Sequence, residues 1–151
     1  MEQVSINGKM KLSQHFTLGE LTKSNHTEVY NIPSHQAIEN LKRVCEWLEE
    51  LRTSAGVPII INSGYRSPQL NKRVGGSPTS NHLLGCAVDL RVAGIEQALR
   101  YAVILMDYAD ETKQDFDEIL IEKNRYGAMW LHFAVRPPSQ ENRRKIAFLR
   151  A

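Results

Sequence analysis

Apolar residues recur at helical spacing at Ile38, Leu41, Cys45, Leu48 and Leu51, with charged residues between them, which predicts an amphipathic helix over 34–54. Ser34, directly after Pro33, is its expected N-cap, and Gly56 its stop. The run VPIIIN at 57–62 has the length and β-branching of a strand. Ser67-Pro68 opens a short helix through about Val74, with the serine as cap and the proline at the first helical position. Residues 75–81, rich in Gly, Ser and Pro, read as a loop, and 87–92 as a strand carrying Asp89 in its middle. A second long helix is predicted over 95–108, with Ala98, Leu99, Ala102, Leu105 and Met106 on its buried side. Two strands follow at 117–122 and 130–135, joined by the polar loop 123–128, and the tail 145–149 adds a short edge strand. Residues 14–33 read as an irregular lead-in, preceded by a disordered stretch at 1–13. The order of elements gives one α+β domain over 1–151, a small antiparallel sheet with two main helices packed on it.

Composition narrows the function. Apolar residues make up 42% and charged residues 24% of the 151, as in an ordinary globular fold. A net charge of +2 gives no reason to expect a nucleic-acid partner. The one basic run, Arg143-Arg144-Lys145, reads as a solvated face, with a weak pull on anionic cell-wall polymer as the alternative. Cys45 and Cys86 form no CxxC pair and read as reduced core residues. The N-terminus has no apolar segment of signal-peptide length, and no run of about 18 apolar residues could span a bilayer. We expect a monomer made in the cytoplasm, without membrane insertion, that reaches any external substrate after release.

Three segments hold polar side chains where packing alone would not place them. In Ser80–Asp89, Asp89 interrupts the apolar run Cys86, Ala87, Val88, Leu90, where an unpaired carboxylate costs several kcal/mol. His82 lies seven residues before it, with Gly85 letting the chain turn between them. In Trp130–Val135, His132 occupies the centre of an apolar strand. Two histidines and one carboxylate leave a fourth tetrahedral position open, the pattern of catalytic zinc. In Asn62–Ser67, Arg66 is suited to grip a carboxylate or a developing oxyanion, or else to brace the loop before Ser67.

With these segments in view, the chain resembles the zinc D-Ala-D-Ala carboxypeptidases and phage endolysin peptidases of the M15 metallopeptidase family. The matching elements are SGYRS at 63–67, SxHxxGxAxD at 80–89 and WxHxxV at 130–135, with HFTLGELTKS at 15–24 similar to the start of small members. The likeness covers about residues 14–136. It implies a hedgehog/DD-peptidase-like fold with one zinc at the sheet face, held by His82, Asp89 and His132. It also implies substrate contact by Arg66 and a hydrogen-bonding role near the site for Ser80. Trp130 is a pocket-wall candidate for substrate.

The sequence departs from that family at the general base. Many members carry a carboxylate three residues before the last zinc histidine, where this chain has Met129; others carry a histidine two before, where it has Trp130. Glu122 is the candidate instead. On 117–122, Glu118, Leu120 and Glu122 share a face, and if Leu120 lies opposite His132, Glu122 falls diagonally near the site. A one-residue slip would favour Asp117. The expected activity is zinc-dependent hydrolysis of peptide bonds in bacterial peptidoglycan, specific for D-amino-acid peptides and acting as carboxypeptidase or endopeptidase. A zinc-containing module that binds peptidoglycan or a protein without cutting it is the alternative.

Overall fold

The computed structural model describes residues 7–150. Helix α1 spans Leu18–Thr22 within the expected irregular lead-in, and a capping box closes its start, Thr17 accepting from the Glu20 amide and Glu20 from the Thr17 amide. In residues 7–13, part of the stretch expected to be disordered, Leu12 is buried, and the amides of Leu18 and Gly19 bond back to Met10 and Gly8. Residues 1–6 lie outside the described residues.

Helix α2 (His35–Ala55) follows its Ser34 cap and buries Leu41, Val44, Cys45, Leu48 and Leu51. Strand β1 is short, Ile61–Ser63, and its ladder is irregular between those two residues, so Val57 and Ile60 stay exposed where a longer strand was expected. Helix α3 (Pro68–Arg73) starts from Ser67 as expected. The 3₁₀ turn η1 (Asn81–Leu84) leads into β2 (Ala87–Arg91). Helix α4 runs Ile95–Thr112, a turn further than periodicity suggested. Its core stripe is Ala98, Tyr101, Ala102, Leu105 and Ala109; Leu99, expected inside, is exposed because it lies about 100° round the helix from Ala98. Strands β3 (Glu118–Lys123), β4 (Met129–Ala134) and β5 (Lys145–Arg150) complete the chain.

The sheet order is β1-β2-β4-β3-β5. All pairings are antiparallel except β3–β5, which is parallel, so the sheet is mixed where an antiparallel one was expected. Strand β4 ends beside the start of β3, and the segment 135–144 passes that end to begin β5 on the far side of β3, so β5 runs antiparallel to β4 and parallel to β3.

Alternation divides the sheet. Val88, Leu90, Ile119, Ile121, Leu131 and Phe133 point to one face, are buried, and pack with α2 and α4. Trp47 sits in this core in edge contact with Tyr108 and Phe116 and tilted against Phe133. Each such buried aliphatic contributes roughly 1.5–3 kcal/mol. The opposite face carries the polar rows, Asp89, His132 and Leu120 across the middle, with Trp130 and Glu122 on one side and Ala134 and Glu118 on the other.

Cys45 and Cys86 are free and buried, and burial pushes their thiols up to about 12 and about 11, so both pack as inert apolar groups. The Arg143-Arg144-Lys145 run is exposed, as expected, but its two arginines also make ion pairs. Arg143 chelates the fully buried Asp117 through Nε and Nη2 at 3.0 and 2.8 Å, and Arg144 pairs with Asp110 and Asp115.

Candidate metal centre

Strand β4 lies between β2 and β3, and in the β2–β4 ladder Asp89 stands opposite His132. The turn η1 delivers His82 to the same point. His82 Nε2 is 3.4 Å from Asp89 Oδ2, and His132 Nδ1 is 3.0 Å from Asp89 Oδ1. One ligand atom from each of the three residues lies within 4.8 Å of the others, and this is the one such group among the described residues. The two close pairs bracket the roughly 3.3 Å edge of a tetrahedron with metal–ligand bonds of about 2.0–2.1 Å. Two imidazole nitrogens and a carboxylate oxygen therefore fit a zinc ion in spacing and donor type. The other histidines take no part; His15 bonds Glu49 and His26 faces Glu28.

Surrounding groups set the orientation of each donor. Gly64 can only accept through its carbonyl, 2.7 Å from His82 Nδ1, so that nitrogen carries the proton and Nε2 keeps its lone pair for a metal. The carbonyl is in place because residue 64 lacks a side chain: a Cβ there would meet the Leu21 carbonyl oxygen at 2.3 Å. Ser80 Oγ accepts from the His82 amide at 3.1 Å and so caps the turn that carries the ligand. Gly85 closes that turn in the left-handed conformation, φ 73°, with Ala37 O at 2.5 Å from any added Cβ.

His132 is held between two carboxylates, Asp89 on Nδ1 and Glu118 Oε1 at 3.0 Å on Nε2. Burial alone would lower its pKa, but the hydrogen bonds to Asp89 and Glu118 outweigh it and raise the imidazole to about 10. Burial likewise opposes ionisation of Asp89, yet His82 and His132 hold it well below the usual carboxylate range. Glu118 also accepts from Asn81 Nδ2 at 2.9 Å, and the same amide reaches Asp117 at 2.8 Å. Asp117 thus anchors the site from beneath and is not free to act as a base. Glu118 was not assigned a role from sequence, although its position two and four residues before Leu120 and Glu122 was the available signal.

Leu120 is opposite His132, so the register places Glu122 on the metal face, across from Trp130. Glu122 is half-buried and has no ion-pair partner among the described residues. Burial pushes its carboxyl up, against a downward pull from His132. Glu118, Leu120, Glu122, His132 and Ser80 line one cleft of about 280 Å³.

Arg66 is engaged on three sides. Its Nε donates to Ser63 Oγ, Nη1 to Asn71 Oδ1 and Nη2 to Asp89 Oδ2, at 3.1, 3.2 and 3.2 Å. Two of its five N–H donors are left over, and Arg66 lines a hollow of about 180 Å³ with Lys23, His26 and Ser63. Trp130 stands between Arg91 and Glu122 on the metal face.

The family model for peptidase M15 matches residues 14–116, more than half of the chain, and the chain belongs to that family of zinc-dependent peptidases. The matched stretch carries Arg66, His82 and Asp89 and stops before Glu118, Glu122 and His132, which the sheet register brings to them. No curated protein matches the chain. Among the described residues, no helix is long and apolar enough to cross a membrane.

Proposed function

We propose that the protein cuts peptide bonds in bacterial peptidoglycan, in stem or cross-link peptides containing D-amino acids, with one zinc held by His82, Asp89 and His132. The observation that supports hydrolysis over a binding-only module is the placement of a half-buried carboxylate, Glu122, in the same cleft as His132. Met129 and Trp130 leave the family's usual base positions without a proton acceptor, and Glu122 supplies one from the neighbouring strand.

Bound zinc would supply a Lewis acid that polarises the scissile carbonyl and makes water nucleophilic near neutral pH. Glu122 accepts the proton of the attacking water and returns it to the leaving amine; its raised pKa suits both transfers. The two remaining Arg66 donors stabilise negative charge on the substrate, either the developing oxyanion or a terminal carboxylate. Glu118 keeps His132 oriented, Ser80 holds the His82 turn at the cleft wall, and Trp130 stands across from Glu122 to meet apolar parts of a substrate.

Zinc-loaded protein incubated with purified cell wall is expected to release new amino groups, and mass spectrometry of the products identifies the bond. Loss of a single terminal residue marks a carboxypeptidase, and separation of cross-linked or longer peptides marks an endopeptidase. Tight zinc with wall binding but no new amines would replace hydrolysis by the binding module.

A further inference from the structure

The arginines of the only basic run in the sequence are neutralised internally, so the protein's free positive charge lies elsewhere. Arg143 serves Asp117, Arg144 serves Asp110 and Asp115, and Arg66 serves Asp89. At the opposite end of the sheet, Lys123 and Arg150 are register partners in the β3–β5 ladder, and Arg125 projects from the β3–β4 turn beside them. None of these three forms an ion pair with any carboxylate among the described residues. Like charges directly opposite on neighbouring strands are destabilising. All three nonetheless line one hollow of about 620 Å³, with Asn124, Tyr126 and Gly127 and no acidic residue.

The hollow is ordered. Asn124 Oδ1 accepts from the amides of Tyr126 and Ala128, both at 3.0 Å, and pins the turn. The Arg125 guanidinium sits 4.9 Å over the Tyr126 ring and donates to its hydroxyl at 2.7 Å. A fourth cation without an ion-pair partner among the described residues, Arg91, is exposed at the same end of the sheet, on the metal face opposite Trp130.

We propose that this end of the sheet binds a phosphodiester polymer of the kind attached to bacterial walls, through Lys123, Arg125 and Arg150. One carboxylate would neutralise one of three converging cations, whereas successive phosphates neutralise all of them, and the arginine fork matches phosphate oxygens. Lys123 and Arg150 are about 4.8 Å apart across the ladder, with Arg125 beside them on the turn; Arg91, on the metal face, stands outside this cluster. Lys123 directly follows Glu122 and so projects from the other face of the sheet, which leaves the cleft free while the polymer is held. The choice of a wall-attached polymer rests on the peptidoglycan reading, whereas the binding itself needs no peptidase activity.

The test is fluorescence anisotropy of a labelled glycerol-phosphate oligomer with the full chain, and it needs no catalysis. Lys123→Gln/Arg150→Gln is expected to weaken binding about tenfold or more and to lower the salt slope by about one per lost cation. Lys72→Gln/Arg100→Gln removes the same charge from exposed positions elsewhere and is expected to change binding less than about twofold. Arg125→Gln gives a second variant off the strands, and circular dichroism reports that each protein is folded. Absence of binding at low salt, equal loss in both double variants, or tighter binding of a double-stranded DNA oligonucleotide through the same residues would each overturn the proposal.

Discussion

Leu120 lies directly opposite His132 in the β3–β4 ladder, and this single pairing brings Glu122 onto the metal face. A slip by one residue would have turned Glu118 and Glu122 into the helical layer and Ile119 and Ile121 toward the ligands. The buried isoleucines resist that slip more strongly than any polar contact could. The base candidate is therefore positioned by the core behind it.

Glu122→Gln is expected to lower kcat by about 10²–10⁴-fold while zinc content stays at that of the parent. The raised Glu122 carboxyl binds a proton more readily folded than unfolded, so it lowers stability as pH rises through that interval. Glu122→Gln should therefore melt at or above the parent at neutral pH when metal-free. Full activity in this variant would move the base elsewhere.

Zinc binding should release close to one proton at neutral pH. In the metal-free protein His132 stays protonated up to about 10, so a metal has to displace the proton on Nδ1. Apparent affinity then rises with pH, by up to tenfold per unit, and flattens above the His132 value. Calorimetry in buffers of different ionisation enthalpy measures the count, and a value near zero would remove His132 as a ligand.

Glu118→Gln should weaken zinc retention about 10–100-fold without unfolding the protein, because the amide cannot anchor His132 Nε2 as a carboxylate does. Chelator competition reads the loss. Saturating zinc should restore most of the activity, which separates this positioning role from that of Glu122.

Asp117→Asn should cost about 2–3 kcal/mol of stability in urea, less than the 3–5 kcal/mol of a fully buried pair because Arg143 is half-exposed. Its carboxyl is held low: burial opposes ionisation, but Arg143 and Asn81 bond the charged form and prevail. That stability is complete above the unfolded carboxylate range and is lost as pH falls through the depressed folded value. The variant should accordingly lose less than the parent on acidification.

The meeting of His82, Asp89 and His132 was legible because a polar side chain inside an apolar strand is costly unless a cation or a hydrogen-bond partner meets it, and the spacing around His82 and Asp89 is distinctive. The α2 and α3 caps and the face of Glu122 followed from local rules. Helix α1 was legible in principle, since Thr17 and Glu20 spell a capping box, but a helix of five residues carries too little periodicity to be seen. Glu118 and Asp117 escaped because their roles depend on Asn81 and Arg143, distant along the chain. The parallel fifth strand escaped because strand direction at an edge leaves no trace in alternation.

Strand β4 is late in the chain yet occupies the middle of the sheet, flanked by β2 and β3. A polypeptide interrupted before residue 129 would own His82 and Asp89 but leave β2 with a bare margin and no third donor. The candidate metal site can therefore close only after residue 134 has emerged and the β3–β4 hairpin has docked. Assembly of the candidate centre is timed by topology, and a partial translation product would bring only two of its three donors together.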